Sequence, residues 1–348
     1  MSKKKRPGAA NDPFTNRREL PINGGAGSAL PGVRIRASRG SAARPPDRPY
    51  RKSGMLKGLI YSLVSAFFFG LLAILVKLAY QTGLKDMALL QYRFLLATLL
   101  FAGYLLIRNP RLLKIRPATL AKTAFLGAVL HGWQSTCFFK ALNYIPASTN
   151  ALILYLYPVI VTLLSLVVFR MKADRTLFFS LALLTGGCAL VFYDAFLKAL
   201  NVTGLLFALG TTLTFSVYLI MTQIFLKGEK SLTITFYVIL FTAVPFLFVN
   251  NPLDILRLAP RQLLLALAIG LVPTALGIAF QFLAIRELGS ARMSIFSTFE
   301  PVTTVLMAWL VLGENIVFVQ IAGMGLIIAG IVLPNLRGSG PPREGPRR

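Results

Sequence analysis

The residue with the fewest ordinary explanations is Glu300. From Gly289 to Leu312 the chain reads GSARMSIFSTFEPVTTVLMAWLVL, long and apolar enough to cross a bilayer, with a carboxylate near its middle. An ionised carboxylate at that depth costs about 3 kcal/mol or more, so it faces a partner or a watery cavity. Pro301 follows at once and, having no N–H, leaves the Ser297 carbonyl without its helical partner. Helical spacing places Ser297, Glu300 and Thr304 on one face. A carboxylate, a freed carbonyl and two hydroxyls gathered mid-membrane could bind a polar substrate or exchange a proton. The structural alternative is an ion pair beside a packing kink.

Other polar groups inside apolar runs could serve the same chemistry. Arg93, about five residues into the second run, is always charged and could pair with Glu300, bind an anionic substrate, or simply reach the outer headgroups. His131, Gln134 and Ser135 share a helical face beside Trp133. His131 could titrate near neutral pH, or the stripe could merely bond neighbouring helices. Asn150 and Tyr157 align in the fourth run, where Pro158 frees the Leu154 carbonyl as Pro301 does for Ser297. Tyr218 belongs to a threonine stripe in the sixth run, and Lys77 near the end of the first either joins the site or snorkels to the interface. The substrate-binding or coupling candidates are therefore Glu300, Arg93, His131, Gln134, Tyr157, Ser297, Thr304, Tyr218 and Lys77, with Pro158 and Pro301 as kinks.

Several classes of chemistry have no support. One His and no HExxH, CxxC or Walker-type glycine loop remove the usual metal and nucleotide signatures. Cys137 and Cys188 both lie in apolar runs, so no disulfide framework or thiolate metal site is expected. No metal or cofactor is expected, and energy for transport would come from a gradient or an exchange. An enzyme acting on lipid would need clustered His or carboxylates near the interface, and none occurs.

The elements that must position these groups are membrane helices. The 348 residues are 55% hydrophobic and only 14% charged, with mean hydropathy +0.68, unlike a soluble globule. Ten apolar runs, each enough for a hydrocarbon core of about 30 Å, are expected at 57–79, 88–107, 119–140, 147–169, 176–194, 203–226, 232–250, 261–284, 290–312 and 316–335. With the N-terminus inside, the inner loops carry eleven Lys/Arg and the outer loops four, which predicts that both termini are cytoplasmic.

Much of the net charge of +25 sits outside the runs, residues 1–57 alone holding fourteen Lys/Arg against three acids. Residues 1–54 have the composition of a disordered basic tail, suited to anionic lipid at the cytoplasmic face. A nuclear signal or transit peptide are weaker readings. Met55-Leu-Lys-Gly directly before a span also reads as a start, so residues 1–54 need not exist in the mature protein.

Residues 127–187 laid against 270–330, a constant shift of 143, pair Gly127 with Gly270, Pro158-Val159 with Pro301-Val302, Leu163 with Leu306 and Gly187 with Gly330. Gly58 onward aligns with Gly204 onward at a shift of 146. Each copy would hold five spans, an odd number, so the second must enter the membrane inverted. Inverted repeats of this kind characterise secondary transporters with sites at the repeat interface. The run EPVTTVLMAWLVLGE followed by the glycine-rich VQIAGMGLIIAGIVL resembles the EamA-type proteins of the drug/metabolite transporter superfamily. The resemblance covers roughly 55–336 and implies a small-metabolite carrier, often an exporter, working without ATP. One departure is that Tyr157 stands where the second copy has Glu300, with no counterpart of Gly313-Glu314.

The expected organisation is all-α integral membrane. A disordered basic tail (1–54) precedes two inverted five-helix repeats (55–194 and 203–336), and a basic C-terminal tail (337–348) follows. The expected function is secondary active transport of a small organic metabolite, amino-acid-like or drug-like, across the cell (inner) membrane, as export coupled to protons or exchange. Expected partners are that substrate, the bilayer and a proton or counter-substrate, with a homodimer left open. Nucleic acid is not among them, since the tail offers only Phe14 and Tyr50 for stacking. The competing reading is a non-transporting receptor or scaffold that recruits partners through its basic tail.

Overall fold

Backbone crossing lipid must satisfy its polar groups internally, which favours helices, and every regular element among the described residues is helical. In this computed structural model those residues are 52–171, 175–197 and 201–337. The expected tails at 1–54 and 337–348 therefore lie outside the described residues, apart from 52–54 and 337, which are helical.

The first half runs α1 (Lys52–Gln81), α2 (Asp86–Arg108), α3 (Pro117–Ala124), α4 (Gly132–Leu142), α5 (Ala147–Leu154), α6 (Tyr157–Val168) and α7 (Arg175–Val191). The second runs α8 (Val202–Phe225), α9 (Ser231–Phe246), α10 (Pro260–Ile269), α11 (Gly277–Leu288), α12 (Ser290–Ser297), α13 (Glu300–Leu312) and α14 (Phe318–Arg337). Two junctions are wide π-helical turns: Phe125–His131 joins α3 to α4, and Gly270–Leu276 joins α10 to α11.

Among the described residues, six stretches are long and apolar enough to cross a membrane: Gly54–Gln81, Asp86–Arg108, Ala147–Val168, Val202–Phe225, Pro260–Leu288 and Ser290–Leu312. Arg175–Val191, Ser231–Phe246 and Phe318–Leu333 are apolar but shorter. Large apolar side chains such as Phe179, Leu206, Trp309 and Phe318 stand on the outside, as lipid rather than water would allow. The protein is a multi-pass, all-helical membrane protein.

Packing between the halves is reciprocal. α1 lies on α11 and α13, while α8 lies on α4 and α6. α2 meets the wide turn Gly270–Leu276, and α9 meets its counterpart Phe125–His131. α2 also packs on α9, and α7 on α14. Lipid tails are as apolar as leucine, so close approach of small residues must hold such helices together. At α7–α14 a Cβ on Gly187 would lie 2.8 Å from the Gly323 carbonyl oxygen, and one on Gly323 2.7 Å from the Gly187 carbonyl oxygen. The Ser180 hydroxyl donates to the Gly330 carbonyl at the same interface.

Candidate functional site

The site forms where α12 ends and α13 begins. Pro301 cannot donate to Ser297, and its ring would collide with that carbonyl in a continuous helix. The chain instead tightens through Thr298 and Phe299, whose N–H groups donate to Ile295 (3.3 Å) and Phe296 (3.2 Å) three residues back. The helix restarts at Glu300 with Pro301 in its first turn, where a missing N–H costs nothing. Glu300 therefore sits at the electropositive start of α13, a favourable place for a carboxylate. The same device recurs at α5–α6: Leu156 donates to Ile153 (3.2 Å), and α6 restarts at Tyr157 with Pro158 behind it.

The two breaks face one another. The Tyr155 hydroxyl, in the first, faces the half-buried Glu300 carboxylate. Tyr157 faces the Ser297 hydroxyl, which donates to Met293 Sδ at 3.0 Å. Cys188 of α7 is a further neighbour of the carboxylate. Thr304 reaches away from the cluster, donating to the carbonyls of Gly70 (3.2 Å) and Glu300 (3.1 Å). The turn at 298–299 thus divides the single face expected for Ser297, Glu300 and Thr304, and each meets a different neighbour.

Arg93 is 8% exposed and is held by the second wide turn. Its Nε donates to Thr274 Oγ1 at 2.7 Å, and the Thr274 hydroxyl donates to the Ile269 carbonyl, five residues back, at 2.8 Å. The guanidinium lies 5.0 Å from the Phe94 ring centroid. Arg93 is electrostatically coupled to Glu300 without closing to a direct ion pair among the described residues.

Aromatic rings connect these groups. His131, buried at the end of the first wide turn, lies edge-on to Phe94 (5.5 Å) and beside Tyr218 (5.0 Å). Tyr218 stacks near Phe215 (6.0 Å), which meets Tyr157 (5.0 Å). Tyr155 stacks on Phe192 (5.7 Å). The result is an aromatic wall from Arg93 to Glu300, crossing from one half of the chain to the other.

That arrangement brings together Glu300, Arg93, His131, Tyr157, Tyr218 and Ser297. Two expected candidates stand outside it. Gln134 is half-buried, its Oε1 3.5 Å from the Ser135 hydroxyl. Lys77 forms an exposed ion pair with Glu314 just past the end of α13. Asn150, aligned with Tyr157 by spacing, instead donates to the Phe138 carbonyl at 3.0 Å, tying α5 to α4. Tyr155 is the partner that pairwise reading of the sequence missed. Thr274 was visible as an in-span hydroxyl, but only the wide turn aims it at Arg93.

Among the described residues, two surface cavities are lined by neither Glu300 nor Arg93. One, of about 400 Å³, is a lateral groove bordered by Trp133, Thr136, Thr214 and Pro245. The other, of about 510 Å³, lies at the Lys227 and Arg286 end of the helices.

With two copies of one helical plan facing each other across this cluster, comparison with known proteins is decisive. The EamA-like transporter family matches residues 56–193 and again 202–336. The chain belongs to that family. The EamA-like family is part of the drug/metabolite transporter superfamily. Two Bacillus subtilis (strain 168) proteins, the uncharacterized transporters YcbK and YwfM, are each 26% identical to the chain, over 295 and 288 residues, covering 80% of it and 94% of themselves. A crystal structure sharing 16% identity superposes with a TM-score of 0.68 over 82% of this chain and 97% of the other. That likeness speaks to the fold alone.

Proposed function

We propose that this EamA-like protein is a secondary active transporter that moves a small organic metabolite, amino-acid-like or drug-like, across the cell (inner) membrane. Transport runs as export coupled to protons or to exchange. Its ten spans form two inverted five-helix repeats, 55–194 and 203–336, with both termini cytoplasmic. The reciprocal packing of α1 on α11 and α13 against α8 on α4 and α6 supports that symmetry. Two related halves can exchange inward and outward packings, the physical basis of alternating access.

The observation that carries the reading is Glu300, an acid at an interrupted membrane helix facing Tyr155 and coupled to Arg93. Glu300 carries the coupling proton or the cationic part of the substrate, and Arg93 the anionic part. The aromatic wall takes the apolar remainder, with Lys77 and Gln134 at the margins. Screening a deletion strain for altered secretion of, or sensitivity to, amino acids and related metabolites supplies the substrate. In reconstituted vesicles under a pH step, Glu300→Gln then abolishes gradient-driven flux while the protein still inserts. Unchanged flux removes Glu300 from the mechanism.

A further inference from the structure

Between the 510 Å³ vestibule and the Glu300 cluster lies α12, and its sequence is patterned for passage. Ser290, Ser294 and Ser297 fall at i, i+4 and i+7, one stripe leading from the vestibule to the break before Glu300. α6 runs antiparallel beside it. Ser165 approaches Ser290 (Oγ to Oγ 3.4 Å) at the vestibule end, and Tyr157 faces Ser297 at the other.

Thr162 of α6 and Thr222 of α8 are fully buried with hydroxyls that lack a hydrogen-bond partner. Tyr218 faces Thr222 one turn away without closing a bond to it. Buried hydroxyls are normally satisfied. Several left open on two adjacent helices, between a cavity and an acid, mark a route that polar species occupy.

One side chain ties α8 to the start of α12 beside the vestibule. Gln223, near the end of α8, accepts through Oε1 from both the Ser290 N–H and the Ser290 hydroxyl, each at 2.6 Å. Gly289 (φ 81°) allows the chain to turn tightly against that amide, within 3.4 Å of where its Cβ would stand. Gln223, Ser290 and Ser165 all line the vestibule floor.

We propose that the hydroxyl-bearing faces of α6, α8 and α12 form a polar passage from the vestibule to the Glu300 cluster, and that Gln223, by holding Ser290, is its gate. The solute is small and polar: water and protons in every state, and the metabolite when α12 swings clear. This rests on the carrier reading for its purpose but not for its test, which needs no substrate.

The test is the rate at which the thiol of Ser294→Cys reacts with 2-aminoethyl methanethiosulfonate on the purified full chain, with the label located by peptide mapping. With Gln223 intact, the reaction is slow. Gln223→Ala removes two hydrogen bonds holding the closed mouth and accelerates labelling about tenfold. Ser290→Ala also accelerates it, and carries the test alone if Gln223→Ala does not fold. Gln223→Glu, which keeps the acceptor, leaves labelling slow. Rates unchanged in both alanine variants, or raised equally by Gln223→Glu, overturn the gate. Absence of any metabolite flux through the unaltered protein, with the labelling response intact, overturns the carrier reading and leaves the passage standing.

Discussion

In α5–α6 the helix stops at Leu154, turns through Tyr155 and Leu156 and restarts at Tyr157; in α12–α13 it stops at Ser297, turns through Thr298 and Phe299 and restarts at Glu300. A proline at the second position of the new helix enforces both interruptions. One restart presents a phenol packed on Phe215, the other a carboxylate. The interruption is therefore a geometric device common to both copies, and the acid is chemistry added to one of them. The first break lends Tyr155 and Tyr157 to the surroundings of Glu300 and Ser297.

Arg93→Gln removes the cation coupled to the acid and is expected to lower flux tenfold or more. Arg93→Lys keeps the charge but not the Nε bond to Thr274, and recovers only part of the loss, on the order of a few-fold. Flux in reconstituted vesicles measures both. Gly70→Ala strikes the α1–α13 crossing, where a Cβ would stand 2.7 Å from Thr303 Cβ and 3.0 Å from the Glu300 carbonyl oxygen. A cost of about 1–3 kcal/mol is expected as a lowered thermal midpoint. Tyr155→Phe deletes the hydroxyl facing Glu300 and is expected to lower flux several-fold in the same vesicles. Lys77→Ala breaks the exposed pair with Glu314 and shifts stability by less than about 1 kcal/mol. A larger effect there would move Lys77 from the margin into the mechanism.

What could be read in advance follows the reach of each signal. Proline acts on the carbonyl four residues back, so the breaks at 155–156 and 298–299 were legible from Pro158 and Pro301 alone. Long apolar runs placed most of the helices, although among the described residues six of the ten expected runs are long and apolar enough to cross a bilayer. Arg175–Val191, Ser231–Phe246 and Phe318–Leu333 are shorter, and the run expected at 119–140, which holds the wide turn Phe125–His131, is not among them. The wide turns at Phe125–His131 and Gly270–Leu276 were not legible, because one inserted residue leaves composition unchanged while rotating every later side chain. That rotation aims Thr274 at Arg93. Tyr155 was passed over because helical spacing was counted through a position where the helix has stopped. Lys77 with Glu314 joins residues 237 apart, beyond any local pattern.

The account turns on the acid of α13 acting while its counterpart at the first break serves only as structure. Flux driven by an imposed pH step should be measured in vesicles carrying Glu300→Gln or Tyr157→Phe at matched insertion. The first variant is expected to be silent and the second to keep most of its flux. Equal loss in the two, or full flux through Glu300→Gln, contradicts it.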